Sequence, residues 1–280
     1  MILFCLHLNS PVFAASKENI NWETDWETAL KNASENKQPV LMDFYTDWCP
    51  PCKKLATITF KDKNVIHWFN KENYLLIKVN PEKDKTAEKK FKVYSYPTLV
   101  IFNSKGVEID RLLGYYNAGD LIKALENLKK GIGTLEDLLV RCETLKKENK
   151  ENTKAGFELM FKIMDKYIAR ADYPEALKLV ARVVQLDKDN TEKQASAALF
   201  RKGYIYYKWK KYKKAVEAML SIRKMYPGSE EAEAGYGAAA YYSEKTGDTA
   251  ETLRILKDFV KYYPDSSHIE EVKKKIDRMK

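Results

Sequence analysis

Two cysteines in the first part of the chain have the spacing of a reversible disulfide. Cys49 and Cys52 follow the strand-like run Pro39–Tyr45, and the segment from Lys53 onward is typical of a helix. At the first turn of a helix, the dipole and the free amide hydrogens favour a thiolate over a thiol. The thiolate is the attacking species in thiol–disulfide exchange. The motif therefore predicts redox chemistry, with Cys49 as the nucleophile and Cys52 as the resolving thiol.

Zinc binding is the alternative chemistry for two cysteines at this spacing. A zinc site would need two more ligands, and the chain has no second pair of this kind. His67, His268 and Cys142 remain, but their spacing is not that of metal ligands. A CxxC pair inside an alternating helix and strand pattern favours redox chemistry. We therefore expect no metal and no cofactor other than the disulfide itself.

The two residues between the cysteines bear on the direction of the reaction. Pro50 and Pro51 remove two amide hydrogens that could have pointed at the Cys49 sulfur, and only the Cys52 and Lys53 amides remain. No histidine lies between the cysteines to stabilise a thiolate. Both features argue against a very low pKa for Cys49, and so favour a reductase over a powerful oxidant.

The segment around the cysteines resembles the active site of the thioredoxin family. Tyr96-Pro97-Thr98-Leu99 matches the cis-proline loop of that family, and the strand Leu99–Phe102 follows it. The local sequence after the cysteines is most similar to the C-terminal thioredoxin-like domain of DsbD-type reductases. The residues that carry this similarity are Thr59-Phe60, Lys63-Asn64-Val65 and Gly114. The resemblance covers roughly residues 22–130, and this combination of motifs is specific.

The resemblance implies roles for two charged residues. Asp43 stands where the family keeps a buried carboxylate behind the disulfide, and Lys78 stands where it has a lysine on the neighbouring strand. In the family they form a buried pair that moves protons when Cys52 leaves as a thiolate. Burial raises the pKa of a carboxyl, which suits proton transfer near neutral pH. The alternative is that Asp43 points outward from an edge strand.

The resemblance also implies a substrate-binding region. It implies a cis peptide bond before Pro97, and X–Pro is the only common context for one. The loop of Tyr96 and Pro97 would face the disulfide and offer backbone groups to an extended substrate segment. Trp48 would cover the site, with ordinary packing as its alternative role, and Gly114 would complete the region.

Patterning beyond the cysteines predicts an α/β thioredoxin fold. The predicted helices are Trp22–Lys37, a helix from the cysteines that breaks near Lys61-Asp62, Asp84–Phe91 and Asp120–Lys130. The predicted strands are Pro39–Tyr45, Tyr74–Val79, Thr98–Phe102 and Val107–Leu112, the last two joined by a turn at Asn103–Gly106. This order fits a small central sheet covered by helices.

The second half of the chain repeats a helical pattern. Lys224–Ser229 and Lys261–Ser266 are the same helix ending, and three related segments start at Tyr173, Tyr212 and Thr249. This pattern resembles tetratricopeptide repeats, in which stacked helical hairpins share a continuous core. Gly203 occupies the small position of the motif.

The repeats depart from that motif in places. Lys188 replaces the terminating proline of the first copy, and Thr252 stands where a small alanine is usual. The final helix would act as a polar cap with one apolar face, formed by Ile269, Val272, Ile276 and Met279. We therefore predict an all-α domain of degenerate tetratricopeptide-like repeats.

The N-terminal residues indicate an exported protein. Ile2–Leu8 is an apolar run, and Val12–Ala15 offers small residues for cleavage, as in a secretory signal peptide. No Lys or Arg precedes the run, so a frayed apolar N-terminus is the alternative. The predicted organisation is a signal peptide at 1–15, a thioredoxin-like domain at 16–132 and helical repeats with a capping helix at 133–280. The expected location is extracytoplasmic, most simply a bacterial periplasm.

Charge and aromatic content do not indicate nucleic-acid binding. The net charge of +9 comes from interspersed lysines rather than from a basic arm. The aromatic residues within Tyr204–Tyr212 alternate with lysines, but they fall where the repeat needs aromatics.

Cys142 is expected to be a buried, inert thiol, with a mixed disulfide to a partner as the alternative.

Three functions remain for the whole chain. The first is an extracytoplasmic thiol–disulfide oxidoreductase that reduces protein disulfides, receives electrons from a DsbD-like membrane donor and docks a protein partner on its helical repeats. The second is a scaffold or adaptor protein whose repeat domain binds partners. The third is a dithiol oxidase or isomerase, which differs from a reductase in its reduction potential.

Overall fold

The computed structural model of the protein describes residues 19–279, which fall into two compact units. The first comprises the residues up to Glu88 and Tyr94–Lys130, and the second comprises Lys89–Val93 and the residues from Gly131 onward. The signal peptide expected at 1–15 lies outside the described residues. The domain limits 16–132 and 133–280 stay predictions.

A five-stranded sheet forms the centre of the first unit. Its strands are β1 (Trp22–Glu23), β2 (Val40–Phe44), β3 (Leu75–Val79), β4 (Thr98–Phe102) and β5 (Glu108–Leu113). They lie in the order β1-β3-β2-β4-β5. β3 pairs in parallel with β1 and β2, whereas β4 runs antiparallel to β2 and β5. The helices of this unit are α1 (Trp26–Glu35), α2 (Pro50–Thr57), α3 (Lys63–Lys71), α4 (Lys85–Phe91) and α5 (Ala118–Lys129). This is the α/β architecture that the sequence predicts.

The predicted start of the first helix is wrong. Trp22 belongs to β1 and pairs with Leu76 of β3, and α1 begins only at Trp26. The side chain of Asp25 accepts a hydrogen bond from the amide of Thr28 and so caps α1 at its N-terminus. Because the helix is capped at Asp25, the residues before it are not helical, and Trp22 and Glu23 form the edge strand β1.

The predicted break after the cysteine helix is confirmed. A 3-10 turn (Thr59–Lys61) separates α2 from α3. Asp62 then caps α3, because its carboxylate accepts hydrogen bonds from the amides of Asn64 and Val65 at 2.8 and 3.3 Å. The carboxylate cap thus starts a separate helix after the break.

β2 is an interior strand, with β3 on one side and β4 on the other. All five of its residues are buried, including Asp43. The edge-strand alternative for Asp43 is therefore wrong. The short segment that connects the interior strand β2 to α2 therefore places the cysteines at the start of a helix.

The second unit consists of helices, and none of its described residues forms a strand. Its helices are α6 (Leu135–Lys147), α7 (Lys154–Ala169), α8 (Tyr173–Leu186), α9 (Gln194–Lys208), α10 (Tyr212–Met225), α11 (Glu230–Glu244), α12 (Thr249–Tyr262) and α13 (Ile269–Arg278). The three repeat copies are the hairpins α7–α8, α9–α10 and α11–α12. No helix within residues 19–279 is long and apolar enough to span a membrane.

The small position of the repeat has a steric cause. A Cβ built on Gly203 would lie 2.7–2.9 Å from three side-chain atoms of Met219, which is fully buried on α10. Thr252 is also fully buried, and its hydroxyl donates to the Asp248 carbonyl and lies 2.9 Å from the Ser243 hydroxyl. The polar group that threonine adds to this buried position is therefore satisfied by hydrogen bonds.

The first repeat ends without its proline, and a buried carboxylate replaces it. Asp187 accepts hydrogen bonds from the amides of Glu192, Gln194 and Ala195 at 3.1, 2.7 and 3.1 Å. It thereby orders the loop between α8 and α9 and caps α9. At the other end, the apolar face of α13 packs on the core of the last hairpins, as predicted for a cap.

Candidate active site

Cys49 and Cys52 form a disulfide at the start of α2. Their Cα atoms are 5.3 Å apart, and the sulfurs are bonded at 2.14 Å. Cys49 is the N-cap residue of α2, and Pro50 and Pro51 occupy the first helical positions. Prolines are tolerated there because those amides have no helical partner. The predicted redox pair is thus placed at a helix N-terminus, where the dipole favours an anionic sulfur.

Only one of the two remaining amides points at the Cys49 sulfur. The Cys52 amide donates to Cys49 Sγ at 3.2 Å. The Lys53 amide instead donates to the Cys49 carbonyl at 3.1 Å. The helix therefore supplies a single direct hydrogen bond to this sulfur, which is a modest stabilisation of the thiolate.

Both cysteines are buried in the disulfide form. The relative exposure is 3% for Cys49 and 5% for Cys52. Exposure therefore does not distinguish the predicted nucleophile Cys49 from the resolving Cys52 while the disulfide is closed. The two residues differ in position, since Cys49 precedes the helix and Cys52 lies within its first turn.

Asp43 is the buried carboxylate of the site. Its side chain is buried, and its Oδ1 atom has no hydrogen-bond partner within the described residues. Desolvation raises the pKa of Asp43 to about 7, although the positive charge of Lys78 opposes the rise. A carboxyl with this pKa can both accept and release a proton near neutral pH.

Lys78 is adjacent to Asp43, but it is only half-buried and does not form a salt bridge with it, unlike the buried pair that the resemblance implies. The two residues are in register across β2 and β3. The Lys78 ammonium lies over two aromatic rings, 4.9 Å from the centroid of Trp22 and 5.0 Å from that of Tyr45. These contacts hold the cation by its attraction to the faces of the rings. The half-buried Lys78 therefore acts on Asp43 at a distance, through its charge.

The cis-proline loop lies beside the disulfide segment. The Tyr96–Pro97 peptide bond is cis, as the resemblance implies. Trp48, the residue before Cys49, contacts Tyr96 edge to face with ring centroids 6.5 Å apart. Trp48 is 65% exposed, so packing in a core does not explain it. The loop and the tryptophan together frame the approach to Cys49.

Gly114, the residue that follows β5, supports this loop. Its φ angle of +81° lies in the left-handed region that favours glycine. The Gly114 amide donates to the Pro97 carbonyl at 2.9 Å. Gly114 therefore holds the backbone of the cis-proline loop, and the predicted substrate-binding residues Trp48, Tyr96, Pro97 and Gly114 lie in one region.

Sequence reasoning missed several supporting residues. Glu82 accepts a hydrogen bond from Trp48 Nε1 at 2.9 Å and fixes the exposed ring. Thr46 is buried, its hydroxyl has no hydrogen-bond partner among residues 19–279, and its carbonyl accepts from the Cys49 amide at 3.3 Å. Trp22 and Tyr45 hold Lys78. Only the position of Thr46 in the short segment before the cysteines could have indicated such a role.

Cys142 stands apart from this chemistry. It lies on α6 and is half-buried beside the core residues Leu135 and Leu138. Burial raises the pKa of its thiol, so less thiolate forms at neutral pH. The expectation of a fully buried thiol is therefore only partly met, whereas low reactivity agrees with the raised pKa.

The aromatic residues that alternate with lysines join neighbouring hairpins. Trp209 packs against Tyr173 of the preceding hairpin, with centroids 5.5 Å apart. Tyr207 stacks on Tyr242 of the following hairpin at 4.5 Å. These contacts are the packing role that the repeat pattern predicts.

Two protein families match the chain. The model of the thioredoxin-like domain matches residues 26–129, and the tetratricopeptide repeat model matches residues 197–229 and 233–266. The copy that starts at Tyr173 lies outside the matched repeats. The chain therefore joins a thioredoxin-like domain to tetratricopeptide repeats, as the sequence predicts.

Relatives and a solved structure resemble the first domain. Thiol:disulfide interchange protein DsbD of Campylobacter jejuni (strain RM1221) is 34% identical over 126 residues, 42% of this chain and 22% of that protein. DsbD of Yersinia pestis (strain Pestoides F) is 35% identical over 101 residues, 34% of this chain and 17% of that protein. The chain thus spans less than a quarter of these relatives. The oxidised C-terminal domain of Neisseria meningitidis DsbD is 25% identical, with a TM-score of 0.34, over 38% of this chain and 98% of that one.

Proposed function

We propose that this chain, in which a thioredoxin-like domain carries a CxxC disulfide, is an extracytoplasmic oxidoreductase that reduces protein disulfides. In this proposal the tetratricopeptide repeats dock a protein partner. The observation that carries the proposal is the Cys49–Cys52 disulfide at the first turn of α2, on the strand–helix unit that also holds the buried Asp43.

The reaction needs a dithiol and transfers two electrons. The Cys49 thiolate attacks one sulfur of a substrate disulfide, so that a mixed disulfide forms and the other substrate sulfur leaves as a thiolate. The Cys52 thiolate then attacks Cys49 Sγ and displaces the second substrate sulfur. The two substrate thiolates take up two protons, and the Cys49–Cys52 disulfide that the structure contains is regenerated.

Asp43 is the proton acceptor for the Cys52 thiol. Cys52 must lose its proton before it attacks, and its burial disfavours the thiolate. Asp43, with its pKa near 7, is the base that accepts this proton, directly or through one water. The charge of Lys78 keeps the pKa of Asp43 from rising further.

The substrate would bind as an extended segment along the cis-proline loop. Neither the amide nor the carbonyl of Tyr96 takes part in a backbone hydrogen bond with another described residue. An extended peptide can pair with such groups as an added strand. Trp48 offers an exposed apolar face beside this strand position.

Two features support reduction over oxidation. A strong oxidant of this type has a very stable thiolate, which requires several favourable contacts to the sulfur. Here a single amide donates to Cys49 Sγ, and no histidine lies between the cysteines. After each cycle the disulfide must be reduced again, and we propose a membrane dithiol donor similar to DsbD for that step.

Insulin reduction tests the proposal. The wild type should speed the precipitation of reduced insulin in the presence of dithiothreitol, and Cys49→Ser should remove the effect. Cys142→Ser is the matched control and should keep the full rate, because that thiol lies outside the site. Equal, background rates for all three proteins would favour the scaffold function instead.

A further inference from the structure

The turns of two successive hairpins in the second unit border a wide, open cleft of about 470 Å³. Its walls come from the turn between α9 and α10, the first residues of α10 and the turn that follows α11. The cleft, here called the lysine cleft, is lined by Lys210, Lys211, Tyr212, Lys213, Lys214, Lys245 and Thr246. Five of these seven residues are lysines, and none is acidic.

The charges of the lysine cleft are not balanced within the described part of the chain. None of its five lysines forms a salt bridge with a described carboxylate. Glu244, the neighbour of Lys245, is engaged elsewhere, since it pairs with Lys275 at 2.5 Å. Other lysines of this unit do have partners, such as Lys178 with Glu175 at 2.7 Å. The cleft is therefore a concentrated positive site rather than part of a mixed surface.

Aromatic rings hold two of the ammonium groups in place. Lys211 Nζ lies 3.2 Å from the centroid of Trp209, and Lys245 Nζ lies 5.0 Å from that of Tyr241. The hydroxyls of Tyr207 and Tyr241 are 3.2 Å apart and tie the two hairpins together. These ring contacts restrict the motion of both lysine side chains, which lowers the entropy cost of binding.

We propose that the lysine cleft binds an acidic, Asp- and Glu-rich segment of a protein partner. This proposal rests on the docking role proposed above and gives it a ligand chemistry. Carboxylates on a flexible chain can enter a cleft between two turns and meet several ammonium groups at once. Four of the five lysines are exposed and Lys211 is half-buried, so a flexible acidic chain can follow the cleft from one turn to the other. Shape and charge together therefore favour a peptide.

Binding of a labelled peptide by the full-length protein tests the proposal. The probe is a fluorescein-labelled peptide of ten glutamates, measured by fluorescence anisotropy at low salt. The double variant Lys211→Glu with Lys245→Glu should raise the Kd by about tenfold or more. The matched control is Lys257→Glu with Lys274→Glu, which changes the net charge equally at exposed lysines outside the cleft. The control should shift the Kd by less than about threefold.

Two results would overturn the proposal. One is an absence of peptide binding by the wild type, and cleft-dependent binding of phosphatidylglycerol vesicles in that case would assign the cleft to a membrane surface. The other is an equal loss of peptide binding in both double variants. Circular dichroism establishes that each variant is folded. Insulin reduction should be unchanged in both double variants, so a failure of the cleft is distinguishable from a failure of the redox function.

Discussion

Asp43 and Lys78 face each other across β2 and β3, yet the lysine ammonium rests on the rings of Trp22 and Tyr45. The carboxylate is left buried, with one oxygen unpartnered among the described residues. A close ion pair would lower the pKa of Asp43 and remove it as a proton acceptor near neutral pH. The aromatic contacts therefore preserve the proton chemistry of the site.

Replacing Trp22 should change the pKa of Asp43. In Trp22→Leu the ammonium loses one of its two rings and can approach the carboxylate, so the pKa of Asp43 should fall below about 7. Trp22→Phe keeps a ring and should restore most of the wild-type value. The measurement is an NMR titration of the Asp43 carboxyl carbon in the oxidised protein.

Lys78→Met is the control for this prediction. Without the positive charge, the pKa of Asp43 should rise above that of the wild type. Adding Trp22→Leu to Lys78→Met should then have little further effect. A fall in the pKa of the double variant would show that Trp22 acts through packing and not through Lys78.

The raised pKa of Asp43 predicts a pH-dependent cost to stability. The native carboxyl keeps its proton up to about pH 7, whereas the unfolded carboxyl releases it near its ordinary pKa of about 4. Between these values the native state binds more protons, so this residue lowers the free energy of unfolding as the pH rises. Above about pH 7 its effect is constant.

Urea unfolding of the oxidised Asp43→Asn variant checks this sign. The variant should gain stability over the wild type as the pH rises from about 4 to about 7, by on the order of a few kcal/mol, and the gain should then level off. Parallel pH profiles for the two proteins would contradict a raised pKa.

The sequence predicts the features of this site that depend on neighbouring residues in the chain, but not those that depend on contacts between distant strands. The strand, the cysteine pair and the cis-proline loop are local or motif-encoded, and the structure has them where the pattern placed them. Trp22 was assigned to a helix because its spacing with Trp26 is helical, and only pairing with β3 shows otherwise. The position of the Lys78 ammonium depends on three strands together, so no local pattern could give it.

In the repeats, too, the motif residues can be predicted from the sequence, whereas contacts specific to this chain cannot. Gly203 and the capping helix follow from the repeat motif. The Thr252 hydrogen bond to Ser243 and the buried Asp187 do not, because each replaces a missing motif residue by a contact specific to this chain. The lysine cleft arises only when two turns, about 35 residues apart in sequence, are brought together by a repeat period of that order.

In the reduced protein, alkylation should favour Cys49 over Cys52. Cys49 lies ahead of the helix and accepts the amide hydrogen bond, whereas Cys52 is within the first turn. A brief treatment with iodoacetamide at neutral pH, followed by peptide mapping, measures the preference. Cys142 should react slowly, since burial raises the pKa of its thiol. Faster labelling of Cys52 would reverse the assignment of the nucleophile.

Two glycines of the repeats should respond in opposite ways to alanine. Gly203→Ala forces a methyl group against the buried Met219 and should destabilise the protein by about 1–3 kcal/mol. Gly237→Ala, on the exposed side of α11, has no atom within 4 Å of the new methyl and should stabilise by up to about 1 kcal/mol. Thermal unfolding of both variants gives the comparison, and equal effects would refute the close helix contact.

The equilibrium reduction potential of the Cys49–Cys52 pair tests the proposed direction of electron flow most directly. It is obtained by equilibrating the full-length protein with glutathione or dithiothreitol buffers and trapping the free thiols. With one amide on the Cys49 sulfur and no histidine between the cysteines, the value should lie nearer about −270 mV, as in thioredoxin, than about −120 mV, as in DsbA. A potential above about −150 mV would contradict a reductase and indicate an oxidase.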